Sequence, residues 1–444
     1  MKVIAIFDIG KTNKKLFLFT EEYEVVFEKS VQLTEIRDED GDLCEDINAL
    51  RNFITDSLAG VMSLTEFTIS AINFSTYGAS FVYVNEKGEP LTPLYNYLKK
   101  YPDVLQQQFY TTYGGEELFS TVTASPVLGS LNSGLQVYRF KYEQPEKYAQ
   151  ILFALHLPQY ISSLITKKFC CELTSIGCHT GLWNFEKQSY HSWVQEENIF
   201  DKLPPILPAN TSFKTIWNNR SIICGIGLHD SSAALIPYLA NFNEPFVLIS
   251  TGTWCISLNP FNNAPLTIDE LKQDCLCYLT YQGNPVKASR LFAGNEHEVK
   301  IKNLADFYKK PLTYFKAIEF NTEMVDSIRL DNESAKAFRE TDLLNYETFE
   351  IAYHHFMYYL VKKQILSTKL IMNGTAVKRV FVDGGFSKNA LFMNFLAMAL
   401  PEIEIYAASM AQASALGAAL AIHNDWNNKT VPKNIIELRY YSTK

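Results

Sequence analysis

The sequence has no C-x-x-C pair, and its 8 cysteines are scattered. Cys170-Cys171 and Cys275-x-Cys277 stand too close together for a zinc pair, and such thiols suit a reducing cytosol. Positive charge is not in excess either: 40 Lys and Arg against 48 Asp and Glu leave a net charge of −8. That balance gives no support to a nucleic-acid or anionic-membrane partner, so an anionic substrate would need local donors or a metal. No apolar run approaches the ~20 residues of a membrane span, and Met1–Phe7 is too short for a signal h-region. A soluble, cytoplasmic protein is expected. The P-loop is missing as well. Gly10-Lys11-Thr12 carries its last letters, but Ala5 stands where its first glycine belongs, and Leu16–Phe19 reads as a strand where the pattern needs a helix.

What is there is apolar bulk and a repeated hairpin. A chain of 444 residues, 47% apolar, with 30 Phe and 25 Tyr, supplies two cores. Two domains are expected, over 1–240 and 241–444. The first opens on Val3-Ile-Ala-Ile-Phe-Asp8, turns through Gly10 to Asn13 and resumes as Leu16-Phe-Leu-Phe19. This pattern predicts a buried strand, a polar hairpin and a second strand. Gly10 permits close backbone approach, and the N–H groups of such a turn can cradle phosphate oxygens, with Thr12 and Asn13 adding side-chain donors. Asp8 stands where a carboxylate could hold hydrated Mg²⁺. Alone, the stretch is equally an ordinary surface hairpin.

Further on, helical spacing predicts helices over 45–58, 145–157 and 159–165. A strand is expected over 67–74, ending in Ser75-Thr-Tyr-Gly78-Ala79, and another over 81–84. Ile222-Ile-Cys-Gly-Ile-Gly-Leu-His-Asp230 reads as strand, then Asp, then a helix over 231–240. Asp230 is there either a catalytic carboxylate or the N-cap of that helix, a preferred place for Asp. Then Phe246-Val-Leu-Ile-Ser-Thr-Gly-Thr-Trp254 repeats the opening pattern, with Gly252 in the place of Gly10. Two such hairpins, each heading half the chain, suggest a duplicated domain with one nucleotide held between the halves. A charged, helix-rich insert is expected from about 303 to 369. Asp383-Gly384-Gly385 marks a further strand end, with Ser387 as candidate N-cap of a helix over 390–400. A small-residue helix over 411–422 precedes a peripheral tail of ~20 residues.

Taken together, Asp8-Ile-Gly-Lys-Thr-Asn13, Gly227-Leu-His-Asp230, Ser250-Thr-Gly-Thr-Trp254, Asp383-Gly-Gly-Phe-Ser-Lys-Asn389 and Gln412-Ala-Ser-Ala-Leu-Gly417 resemble the FGGY family of carbohydrate kinases. Within it, Thr76-Tyr-Gly-Ala-Ser-Phe-Val82 and the 227–233 stretch look most like rhamnulokinases and their fuculokinase relatives. The resemblance implies an α/β fold of two ribonuclease-H-like domains, as in the actin and hexokinase superfamily, closing over sugar and MgATP. It implies Asp8 at the metal position, and Gly10, Lys11, Thr12, Asn13, Gly252, Thr253, Gly384, Gly385 and Asn389 around the nucleotide. Asp230 falls on the general base, which phosphoryl transfer to an alcohol requires. Gly78, Ala79, Tyr97, His229 and Asn295 fall on the sugar side, although His229 is equally a satisfied core histidine.

Two departures stand out. Lys11 replaces a small residue and either meets a phosphate or faces solvent. Asn295-Glu296 is followed by His297-Glu298 where the relatives carry two glycines, which puts the sugar in doubt and leaves Asn295 equally an ordinary loop residue. The expected activity is ATP-dependent phosphorylation of a small ketose, L-rhamnulose or L-fuculose first, by a monomer or homodimer. Alternatives are a xylulose, ribulose or polyol kinase, a nucleotide-dependent regulatory or chaperone-like ATPase, and a weakly catalytic sugar binder.

Overall fold

The computed structural model describes residues 1–329, 343–410 and 412–442. Part of the expected charged insert, and Ala411, lie outside the described residues. Two mixed sheets dominate, one in each half. The first contains β1 (Lys2–Ile9), β2 (Lys14–Thr20), β3 (Val25–Val31), β4 (Thr68–Thr76), β5 (Ser212–Trp217), β6 (Arg220–Gly225) and the short β7 (Leu228–His229). Its order is β5-β6-β4-β1-β2-β3, with β7 pairing β4. The second contains β8 (Phe246–Thr251), β9 (Cys255–Asn259), β10 (Cys275–Leu279), β11 (Pro285–Leu291), β12 (Arg379–Gly384), β13 (Glu404–Ser409) and β14 (Glu437–Tyr441), in the order β10-β11-β9-β8-β12-β13-β14.

The two sheets share a plan. β1 runs antiparallel to β2, β2 to β3, and β1 parallel to β4, which is parallel to β6. In the second half β8 and β9 are antiparallel, as are β9 and β11, while β8, β12 and β13 are parallel. The repeated hairpin in the sequence therefore heads a repeated domain. The chain has the two-domain α/β fold of the actin and hexokinase superfamily.

Helices cover the sheets: α1 (Ile47–Ser63), α2 (Leu157–Thr166), α3 (Asp230–Asn241), α4 (Ala293–Tyr308), α5 (Phe349–Met372), α6 (Ala390–Ala399) and α7 (Ala413–Ala421). Asp46 caps α1, its carboxylate accepting from the Asn48 and Ala49 amides. α3 and α7 pack against each other between the sheets. A Cβ on Gly417 would lie 1.8 Å from the Ala233 carbonyl oxygen, so only glycine permits this approach. One hydrophobic cluster joins Ile4, Phe17 and Ala233 of the first half to Phe246, Leu248, Phe381 and Ala418 of the second.

Three expectations change. The helix expected over 145–157 stops at Ala149, and Phe153–His156 is a strand paired with Phe81–Val84. Its apolar residues satisfy both periods, and the edge of the Phe81 strand decides between them. The helix at 390 is capped by Asn389, not Ser387, whose hydroxyl turns back to the Gly384 carbonyl. The tail is not peripheral throughout, since β14 completes the second sheet against β13. Among the described residues no helix is long and apolar enough to cross a membrane.

Candidate active site

Asp8 sits at the end of β1, just before the Gly10–Asn13 turn, which the Gly10 amide closes by donating to the Asn13 carbonyl. Its Oδ1 accepts a hydrogen bond of 3.0 Å from Ser414 at the start of α7, reaching across the two halves. Burial pushes the Asp8 carboxyl up to about 6, and the charge of Asp230 pushes the same way. The two carboxylates thus lie close enough for one to act on the other.

Asp230 opens α3 as its first helical residue, so the N-cap position belongs to His229 and the capping role anticipated for Asp230 does not arise. Its Oδ1 accepts from the Ser231 amide at 2.6 Å and the Ser231 hydroxyl at 3.2 Å. Oδ2 has no hydrogen-bond partner among the described residues. Protein surrounds the group deeply enough to push it up to about 6, yet the side chain keeps 35% of its accessible surface. It is a carboxyl at the floor of a recess, enclosed but reachable.

His229 fixes one side of that floor. Burial lowers it to about 3, so the ring is neutral. Its Nε2 lies 3.2 Å from Asp230 Oδ1 and 3.1 Å from Cys178 Sγ, and the ring stacks on Tyr278. Gly78 packs on this ring: a Cβ there would meet Cys178 Sγ and His229 Cδ2 at 2.8 Å. Ala79 follows with φ 60°, its carbonyl held by the Gln136 amide. Tyr97 lies against Tyr77, and burial, then the charge of Asp230, holds its hydroxyl above the ordinary range.

The second half supplies a recess of about 580 Å³, lined by Thr251, Gly252, Gly294, His297, Phe386 and Asn389 among others. The β8 and β12 ends meet there. Gly384 has φ +87°, and a Cβ on it would lie 2.0 Å from the Thr251 carbonyl oxygen. The Thr251 hydroxyl accepts from the Phe386 amide and donates to the Asp383 carbonyl, welding the two loops.

Residues 3–236 match the N-terminal domain of the FGGY family of carbohydrate kinases, and residues 243–319 match its C-terminal domain. The chain belongs to this family. A rhamnulokinase from Mannheimia succiniciproducens is 24% identical over 265 residues, covering 57% of this chain and 52% of the relative. The match thus spans about half the length of that curated relative. A carbohydrate kinase from Novosphingobium aromaticivorans superposes with a TM-score of 0.80 at 20% identity, covering 99% of this chain and 94% of that one. The ligand-bound xylulose kinase of Lactobacillus acidophilus gives 0.75 at 15% identity, covering 100% and 94%.

On this FGGY framework the anticipated residues fall into two groups. Asp8, Gly78, Tyr97, His229 and Asp230 converge in the first half; Gly252, Gly385 and Asn389 line the recess of the second. The Lys11 ammonium pairs with Glu35 at 3.1 Å and Glu45 at 3.4 Å. Beneath it the buried Lys14 donates to Glu45 and to the Lys11 carbonyl. Asn13 engages Gln32. Thr12 and Thr253 are exposed in their turns. Asn295 is not in a loop: it lies in the first turn of α4, its amide donating to the Thr253 carbonyl. Gly294 allows that contact, since a Cβ would lie 1.8 Å from the Gly252 carbonyl oxygen. His297 and Glu298 continue the same helix. Ser414, Cys178, Tyr278 and Lys14 escaped sequence reasoning, for their partners are distant in the chain and no local period marks them.

Proposed function

We propose that the chain is an ATP-dependent sugar kinase that phosphorylates a primary hydroxyl of a small, neutral ketose. The division of labour would follow 1–240 for sugar and first phosphate loop, and 241–444 for nucleotide. The observation that carries this reading is Asp230: a reachable carboxyl held on one oxygen by Ser231, with the neutral His229 ring 3.2 Å away and close enough to the Asp8 carboxyl of the first glycine turn to act on its charge. Phosphoryl transfer to an alcohol asks the protein for little covalent chemistry beyond positioning, charge neutralisation and a place for the hydroxyl proton. Asp230 Oδ2 accepts that proton, while Ser231 holds Oδ1 and leaves the other oxygen free for the substrate. Gly78 lets the sugar wall approach, and Tyr97 borders it. The Gly10 and Gly252 turns offer backbone N–H groups to the phosphates.

The donor set suits Mg²⁺. Asp8 offers hard carboxylate oxygen, and burial beside a second acid raises it in a way that a nearby cation would relieve. Bound there, the ion would neutralise phosphate charge. Closure of the two domains would exclude water and limit ATP hydrolysis.

Deoxyketohexoses, L-rhamnulose or L-fuculose, come first, supported by the rhamnulokinase relative and the 76–82 and 227–233 stretches; xylulose, ribulose and polyols follow. The test is ADP release from ATP with a panel of these sugars, for the wild type and Asp230→Asn. Sugar-dependent release that falls about 10²- to 10⁴-fold in the variant is expected. Near-normal turnover would sink the base assignment. ATP binding with no sugar-dependent release would instead favour a nucleotide-dependent ATPase of another kind.

A further inference from the structure

The His297-Glu298 pair, where relatives carry two glycines, lies within α4. His297 lines the second-half recess together with Phe315, Ile318 and Phe386. Its ring packs edge-on against Phe315 at 5.1 Å and against Phe386 at 5.2 Å, and lies parallel to Phe356. Its Nε2 lies 3.1 Å from the Tyr353 hydroxyl, to which the Asn389 amide nitrogen donates at 2.7 Å. The orientation of Asn389 is not free, because its oxygen caps α6 by accepting from the Phe392 amide.

Proton bookkeeping along this chain of three gives a definite result. The Asn389 nitrogen can only donate to Tyr353, so one lone pair of the phenol is used. Tyr353 is fully buried, and among the described residues the hydrogen bond left for its own O–H is to His297 Nε2. Leaving that O–H unpaired in the core would cost the desolvation penalty of a buried donor. His297 Nε2 is therefore the acceptor, and a neutral ring must carry its proton on Nδ1. Burial keeps the ring neutral, lowering it to about 4. Nδ1 makes no hydrogen bond among the described residues and is not one of the buried unpaired atoms. An N–H donor is thus held in the lining of a recess that Phe315, Phe386 and the Gly252 turn also line.

The geometry points to His297 as the residue that reads the nucleotide base, its Nδ1–H donating to a ring nitrogen of the purine. This rests on the proposed reading of the recess as the nucleotide site. The aromatic and aliphatic lining of Phe315, Ile318 and Phe386 suits a flat heterocycle, whereas Lys316 and Lys388 of the same lining suit the phosphates. Tyr353 and Asn389 are positioning residues that fix the tautomer.

The test has two readouts. Imidazole ¹⁵N chemical shifts of His297 in the ligand-free protein report the tautomer: Nδ1–H is expected, and Nε2–H would overturn the assignment. Tyr353→Phe removes the lock and should give a tautomer mixture. Binding of ATP and of its 1-deaza, 3-deaza and 7-deaza analogues is then measured by calorimetry for the wild type and His297→Phe, which keeps the ring packing. Wild type should bind one analogue about 3- to 10-fold more weakly than ATP, the worth of one neutral hydrogen bond, and His297→Phe should erase that difference. Equal ATP binding by both proteins, with the analogue difference intact, would overturn the role of His297 while leaving the recess a nucleotide site. Failure of the wild type to bind ATP at all would overturn the reading of the recess itself. Unchanged melting temperature of His297→Phe separates both outcomes from misfolding.

Discussion

At the scale of the residue, Asp230 has one environment with two consequences. Burial raises its carboxyl to about 6, so as the proposed base it would be ready only above that pH. The acidic limb of the kcat/KM profile should fall about tenfold per pH unit below ~6, and a limb near 4 would contradict the geometry. The same shift acts on stability with the opposite sense. The folded state binds the proton more tightly than the unfolded chain, so stability declines as pH rises through the interval from the ordinary aspartate value to about 6. The full cost is then present at neutral pH. Asp230→Asn should therefore melt higher than wild type at pH 7.5, with a gain that shrinks towards pH 4; a lower melting point at pH 7.5 would show that the carboxylate is stabilising. Of this, the sequence displayed the position of Asp230 after a strand. It did not display Cys178 and Tyr278 around the His229 ring, or the Glu35 and Glu45 partners of Lys11, because those contacts join residues dozens of positions apart.

At the scale of the element, the small-residue helix α7 is more than packing. Ser414 at its start holds Asp8, the Ala418 carbonyl accepts from the buried Asn73 amide, and Gly417 meets the Ala233 carbonyl of α3. α3 in turn carries Asp230 at its first position. Gly417→Ala must push the two helices apart, which should cost about 1–3 kcal/mol in chemical denaturation and lower kcat as Asp8 and Asp230 separate. A variant as stable and as active as wild type would show that the helices slide without consequence. Elements of this kind were readable where a single period ruled: both glycine hairpins, β12 and α7 lie close to where apolar alternation and small-residue density put them. Helix caps and the short strand Phe153–His156 were not, since a neighbouring edge or a side chain three residues away decided them.

At the scale of the whole molecule, the two halves have the same strand plan and a cluster each, and they share a further hydrophobic cluster between them. Ile4 and Phe17 belong to one hydrophobic cluster with Phe246, Phe381 and Ala418, and that cluster is built around the α3–α7 contact. Splitting the chain near residue 240 would expose this surface on both pieces, a large apolar penalty at ~25 cal/mol per Å². Denaturation followed by tryptophan fluorescence and by far-ultraviolet dichroism should therefore give one coincident transition, and a fragment ending at residue 240 should not fold alone. Two resolved transitions, or a well-folded fragment, would mean that each half closes its own core. The prediction bears on catalysis too. If the pivot between the halves is a packed core, the proposed closure over sugar and nucleotide would be a rotation about α3 and α7 that leaves their contact intact. Asp8, Ser414 and Asp230 all lie at that pivot, so the acid pair would keep its geometry while the glycine turn at 252 and the second-half recess swing towards it.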